Sequence, residues 1–373
     1  MIEYIYDAFH REKVGVTSEY SALITYFLGV CIMSGYTIFG VILTILILIV
    51  LSSKDILQHW RDRFSRQELG DTLKFAVIAL VVLPLLPDTR FSLTEIFGFI
   101  TQSSLAFSHP VIELKFFNPY SVWFFVVIMT GVQYTGYILS RVMGDRGGIV
   151  ASGAVGGMIS STATTAAMTS KSIAHPNNRN AYAAATLASS CIMFIRVVLI
   201  SAFVNPALLP TITLPATIMF IVLSGSAYYY YIQSKKDRLI KTGENGEYES
   251  PFQIVPALQF AAIVVIIKFL SGIGQIYKEY IPQEAYNYIL GAISGLADVD
   301  AITHTMATDS IVGGLSLVIA SSTILIAVIS NNIVKASIAL RFGEKVFGRA
   351  VMTGFGLSIL SGAVVIGLMN FLT

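Results

Sequence analysis

Residues 291–310 read GAISGLADVDAITHTMATDS, and they place two acids, Asp298 and Asp300, in surroundings that otherwise look membrane-spanning. The chain has 373 residues, of which 55% are hydrophobic and only 12% charged. Its mean hydropathy is +0.72. Soluble domains carry roughly 25% charged residues. The apolar runs are about 20 residues long and lack period-2 alternation, which predicts membrane helices rather than barrel strands. Acids inside a membrane are costly and point to function, the alternative being a helix-end pair that caps local N–H groups.

The stretch has a counterpart. Residues 153–172, GAVGGMISSTATTAAMTSKS, align with it at an offset of 138. Gly153/Gly291, Ala154/Ala292, Gly157/Gly295, Ala163/Ala301, Thr165/Thr303, Met168/Met306 and Ser172/Ser310 are identical pairs. LSGSA at 223–227 and LSGAV at 360–364 extend the match, so an internal repeat is expected. The predicted fold is an all-α integral membrane protein of about 9–11 membrane helices. In it, two Gly/Ser/Thr-rich motif segments are broken or re-entrant. The expected divisions are a terminal hairpin and charged connector at 1–70, a linking span and surface segment at 71–118, repeat unit 1 at 119–232 and repeat unit 2 at 251–373. The apolar block 20–51 reads as a hairpin broken at Ser34, Gly35 and Tyr36, with one long tilted helix as the alternative.

Basic residues in short loops favour the cytoplasm. Lys54, Arg61, Arg63, Arg66 and Lys74 lie in 52–74; Lys235, Lys236, Arg238 and Lys241 in 233–250; Arg341, Lys345 and Arg349 in 341–349. Segment 205–212 has no basic residue and 274–287 has only Lys278. These connectors share one side only if each motif enters and leaves on the same face. Each unit then crosses three times, and the second unit is inverted relative to the first, a transporter design. The alternative is two full spans packed closely through Gly and Ala.

On a helix Asp298 and Asp300 would point about 200° apart. Only a broken helix lets them face one site. Their repeat partners are Ser160 and Thr162. Asp298, Asp300 and Thr303, with Ser160, Ser161, Thr162, Thr164 and Thr165, form a candidate oxygen-lined ion site, the acids serving as metal ligands. Hard cations such as Mg²⁺, Mn²⁺ or Na⁺ prefer such donors. Arg196 and Lys335, with Asn331 and Asn332 a turn before Lys335, are candidate counter-ions or anion-binding residues. His304 is a candidate proton relay. Lys268, near an expected span end, reads as snorkelling.

The sequence carries no HExxH, G-x-S-x-G, P-loop or paired CxxC, so an enzyme or a self-contained ATP-driven pump is not expected. No basic block with interleaved aromatics points to nucleic acid. Cys31 and Cys191 are too few for a disulfide framework. The first 15 residues do not read as a cleavable signal peptide. The expected partners are the lipid bilayer and a small ion or polar solute, with a homodimer as an open alternative. No cofactor is expected beyond a bound Mg²⁺, Mn²⁺ or Na⁺.

GGMISSTATTAAMTSKS, SSCIMFIRVVLISAFVNPALLP and GLADVDAITHTMA closely resemble the domain of unknown function that follows an MgtC/SapB module in prokaryotic membrane proteins. The segments at 71–88 and 118–144 fit the same family, so the resemblance covers roughly residues 70–373. VTSEYSALITYFLGVCIMSGYTIFGVILTILILIVL resembles the last hairpin of the module itself. The glycine- and acid-rich segments that open such a module have no counterpart here. The resemblance implies a prokaryotic plasma membrane and a loose link to magnesium homeostasis.

Overall fold

The computed structural model describes residues 17–35, 40, 43, 44, 47, 66–101, 109–143, 148–236, 254–312 and 314–372. Much of the connector 52–74, the loop 237–253 and Tyr36 of the expected hairpin break lie outside the described residues. The chain divides into two compact units, Met1–Leu69 and Gly70–Thr373. In the first, helix α1 (Thr17–Met33) stops at a turn where Gly35 has φ +89°, a conformation that favours glycine.

Helix α2 (Arg66–Val77) runs on through a π-helical turn, Ile78–Val82, into Leu83–Leu85. The widening falls just before Pro84, whose missing N–H and ring disturb the preceding turn. The Trp123 indole donates to the Ile78 carbonyl at 3.1 Å. Helix α3 (Leu93–Thr101) opens on a capping box. The Glu95 N–H donates to Ser92 Oγ and the Ser92 N–H donates to Glu95 Oε2. With the Ser92 N–H as first cause and Lys115 at 3.0 Å as second, the Glu95 carboxyl is held below its ordinary range.

The rest is helical: α4 (Pro119–Met143), α5 (Gly148–Ala174), α6 (Arg179–Val204), α7 (Leu209–Lys236), α8 (Ile254–Ile276), α9 (Gln283–Ala297), α10 (Val299–Val312), α11 (Leu317–Phe342) and α12 (Lys345–Leu372). Among the described residues there is no β-strand, only an isolated bridge between Phe91 and Phe117. Among the described residues, six helices are long and apolar enough to cross a membrane: α4, α6, α7, α8, α11 and α12. The chain is a multi-pass membrane protein.

Two elements behave differently. Helix α5 is interrupted at Ser160, whose φ −161° and ψ 110° are extended. A side chain added at Gly156 would meet Thr164 Oγ1, so the chain doubles back there. The half before the break lies beside α6 and runs in the same direction, Gly153 against Ala185 and Gly157 against Ser189. The half after it returns to residue 174, at the end where α6 begins. Asp298, between α9 and α10, is extended in the same way, with φ −157° and ψ 132°. Helix α9 runs alongside α11, Gly291 against Thr323 and Gly295 against Ala327. Helix α10 then returns to the end where α11 begins. All four contact pairs recur at the offset of 138.

The two doubled-back segments start from opposite ends of the bundle. The Glu344 N–H donates to Ser172 Oγ at 3.1 Å, which ties the turn after α5 to the turn between α11 and α12. Asn205 Nδ2 donates to Ser310 Oγ at 2.8 Å, which ties the end of α10 to the turn between α6 and α7.

Candidate functional site

The two extended residues set the site. Each caps the half-helix that follows it. The Ala163 N–H donates to Ser160 Oγ at 3.2 Å, and the Ala301 N–H donates to Asp298 Oδ1 at 2.9 Å. Both half-helices therefore begin, with the positive ends of their dipoles, at the same place. That place is a cavity of about 40 Å³. Ser160, Ser161 and Thr162 line it on one side, and Asp298 and Asp300 on the other. Arg196 and Asn331 also reach it, while Ile159, Met193 and Phe260 form apolar wall. A water needs roughly 10–15 Å³ by this measure, so the space suits a small ion with at most a few waters.

Asp300 is buried and forms an ion pair with Arg196, also buried. Asp300 Oδ1 and Arg196 Nε have no further partner although both are enclosed. Lys335 is fully buried behind Ser161 and donates to Ser161 Oγ at 2.8 Å and Ser190 Oγ at 3.4 Å, with Met193 Sδ at 3.7 Å. Each cation thus reaches from its own half of the chain to the motif segment of the other half. Two carboxylates, one guanidinium and one ammonium make the locality formally neutral, the arrangement a low-dielectric interior tolerates best.

Other candidates fall elsewhere. The hydroxyls of Thr164, Thr165 and Thr303 donate to the carbonyls of Ser160, Ser161 and Val299 one turn back, and these threonines do not line the cavity. Asn331 Nδ2 donates to the Gly295 carbonyl at 2.9 Å, satisfying the last turn of α9 before the break. Asn332 is buried away from the lining, with its amide atoms unpartnered. His304 belongs to a separate cluster with Ser121 and Lys268. The expectation that Lys268 snorkels needs correction. Helix α8 continues to Ile276, two turns past Lys268, and the side chain is 6% exposed and bonded to Ser121 Oγ. Ser190, Met193 and Phe260 were invisible to the sequence as neighbours of the site, since ordinary span residues carry no mark of which face they present.

A family model described as a domain of unknown function, DUF4010, matches residues 127–343, more than half of the chain. The chain belongs to the DUF4010 family. The matched part of this DUF4010 protein runs from within α4 to the end of α11 and contains every cavity-lining residue. An uncharacterized protein of Aquifex aeolicus (strain VF5) is 28% identical over 199 residues, covering 53% of this chain and 84% of the relative. No solved structure matches the chain. Among the described residues, no three His, Cys, Asp or Glu side chains converge as a metal site. A cation in the cavity would rest on two carboxylates together with hydroxyl or carbonyl oxygens.

Proposed function

We propose that this DUF4010 protein is a secondary transporter or channel for a small cation, with Asp298 and Asp300 as its ligands. The carrying observation is that two chain breaks, 138 residues apart, converge on one small cavity holding both carboxylates. Oxygen donors favour a hard ion. The pair of carboxylates matches the charge of one divalent ion such as Mg²⁺ or Mn²⁺ once Arg196 withdraws. Arg196 then acts as a tethered counter-ion that the cation displaces, so the cavity stays near neutrality throughout.

An inverted-repeat reading belongs to the same proposal. Lys171, Arg179, Lys235, Lys236, Arg341, Lys345 and Arg349 lie towards one end of the bundle, and Arg90, Lys115 and Lys278 towards the other. That asymmetry supports a cytoplasmic first end in a prokaryotic plasma membrane. The two motif segments would enter from opposite faces, as in inverted-repeat transporters. The link to MgtC/SapB-module proteins rests on the sequence of 20–51 and adds the alternative of a membrane regulator. A stoichiometric copurifying partner with no flux would identify that case.

Flux of Mg²⁺, Mn²⁺, Co²⁺, Na⁺ and K⁺ into proteoliposomes tests the proposal. The expected result is uptake of at least one cation, abolished by Asp298→Asn combined with Asp300→Asn. Unchanged flux in that variant overturns the site. A second reading, transport of a small anion or polar metabolite through Arg196 and Lys335, is favoured by the two half-helix N-termini that meet at the cavity and by Lys335, whose ammonium is bonded only to neutral groups. It predicts anion uptake that Lys335→Met abolishes and the aspartate variants leave intact.

A further inference from the structure

We infer that the second half of α5 forms one wall of a water-filled path from the cavity to the end of the bundle at Glu344, while α10, its repeat counterpart, closes the opposite path. The inference rests on the transport reading above and names the route the ion takes.

The two returning half-helices are repeat counterparts, yet they differ in cover. From Val299 to Ala307, α10 is buried on every side. On α4, Ser121 Oγ lies 3.4 Å from His304 Nε2, and the Phe125 ring centroid lies 5.1 Å from that of the imidazole. Lys268 on α8 donates to the same Ser121 hydroxyl at 3.3 Å. Towards its far end, Asp309 accepts from Ser271 of α8 at 2.6 Å and Ser310 accepts from Asn205 at 2.8 Å. The second half of α5 is covered on one face only. Ser161, Thr165, Met168 and Ser172 are buried, with Lys335 bonded to Ser161 and the Glu344 N–H to Ser172. Thr162, Ala163, Ala166, Ala167 and Ser170 are exposed. At the offset of 138 the first four of these match Asp300, Ala301, His304 and Thr305, each at most 3% exposed.

The chemistry of the open face indicates what meets it. On the spans, exposed side chains are large and apolar, as lipid requires: Ile195 and Leu199 on α6, Leu357 and Leu360 on α12. From Thr162 to Ser170 the exposed side chains of α5 are threonine, alanine and serine alone. The face also starts inside the cavity, because Thr162 is part of its lining. Asp300, 3% exposed, lines the same cavity, and its Oδ1 has no hydrogen-bond partner. The extended backbone at Ser160, between the two, is tolerated at membrane depth where it lines a wet space. A small, polar face that leads from a buried carboxylate to one end of the bundle suits water and a hydrated ion.

The same asymmetry gives the transport step. Opening the opposite path requires α10 to part from α4 and α8, which uncovers His304 and Thr305, groups that water solvates. Closing the present path requires a helix to settle on Ala163, Ala166 and Ala167, which are small enough for close approach. The two half-helices thereby exchange roles, and the protein works as a carrier rather than as an open channel.

With Cys31 and Cys191 replaced, Ala166→Cys, Ser170→Cys, Leu199→Cys and Thr305→Cys are probed singly with a charged, impermeant methanethiosulfonate in right-side-out and inside-out membrane vesicles. The expected result is reaction of Ala166→Cys and Ser170→Cys from the face that also labels Glu344→Cys. Their rates should exceed by at least about tenfold those of Leu199→Cys, whose thiol stays protonated in lipid, and of Thr305→Cys, which is covered. In a second arm, Asn205→Cys with Ser310→Cys is bridged by a short, reducible bifunctional thiol reagent. Bridging should stop cation flux into proteoliposomes, and reduction should restore it. Reaction of Ala166→Cys and Ser170→Cys no faster than Leu199→Cys would give the face to lipid, and a disulfide between two copies of the Ala166→Cys protein would give it to a second copy of the chain. Either result overturns the inference, as does undiminished flux through the bridged protein. Labelling as expected, with no uptake of Mn²⁺, Mg²⁺, Co²⁺, Na⁺ or K⁺ by the unsubstituted protein, would overturn the cation reading and leave the water-filled path in place.

Discussion

Asp300 and Arg196 are each nearly enclosed, and each is the other's ionic partner. Removing one member leaves a buried charge uncompensated, at about 3–5 kcal/mol, whereas replacing both with apolar residues is often neutral or stabilising. Arg196→Met should therefore lower stability in detergent by about that amount. Adding Asp300→Leu should recover most of it. Thermal or denaturant unfolding of the two variants checks this, and equal loss in both would mean that the pair is not a unit. The acids themselves were legible in the sequence, because Asp298 and Asp300 stand out in an apolar run. Their candidate counter-ions, Arg196 and Lys335, were legible too, but not which of them pairs with which acid. The correspondence of Arg196 with Lys335 was visible at an offset of 139, but which group each cation meets depends on how α6 and α11 pack. Lys268 was misplaced because its distance from a helix end was judged from hydropathy, and the helix runs further.

Helix packing at the breaks depends on two glycines. A methyl added at Gly157 would overlap the backbone of Ser189, and one at Gly295 would overlap that of Ala327. Gly157→Ala and Gly295→Ala should each cost about 1–3 kcal/mol, the range for overpacking. Gly225→Ala in α7, with nothing within 4 Å of the added carbon, is the control and should not destabilise. Melting temperatures of the three variants give the comparison. Helix α3 offers a pH-dependent test. Because the Glu95 carboxyl is held below its ordinary range, its contribution is present above that range and lost as pH falls through the lowered value. Protection of α3 amides, relative to the other helices, should fall on acidification and be low at all pH values in Glu95→Ala. The spans were legible because apolar runs of about 20 residues have few alternatives. The reversal at Ser160 was only one of two readings, since SSTATTAAM has the same composition whether the chain continues or turns. Contact between Gly156 and Thr164 decides it, and that contact is tertiary.

At the scale of the molecule, each doubled-back segment begins and ends at one end of the bundle, and the two ends are opposite. The repeat offset and the basic connectors made this arrangement arguable from sequence, although parts of the connectors fall outside the described residues. What sequence could not supply is the pairing of Ser172 with Glu344 and of Asn205 with Ser310, which identifies the turns that share an end. The central claim is that the motif segments enter from opposite faces and meet at Ser160 and Asp298. Single cysteines in a background with Cys31 and Cys191 replaced, probed in intact cells with an impermeant thiol reagent, test it directly. The account predicts that cysteines at Asp145, Asn177, Glu244 and Glu344 are all protected and that one at Glu279 is labelled. Labelling of only one of Asp145 and Asn177 would show that α5 crosses the membrane fully, and labelling of only one of Glu244 and Glu344 would show the same of α9 and α10. Either result would contradict the account.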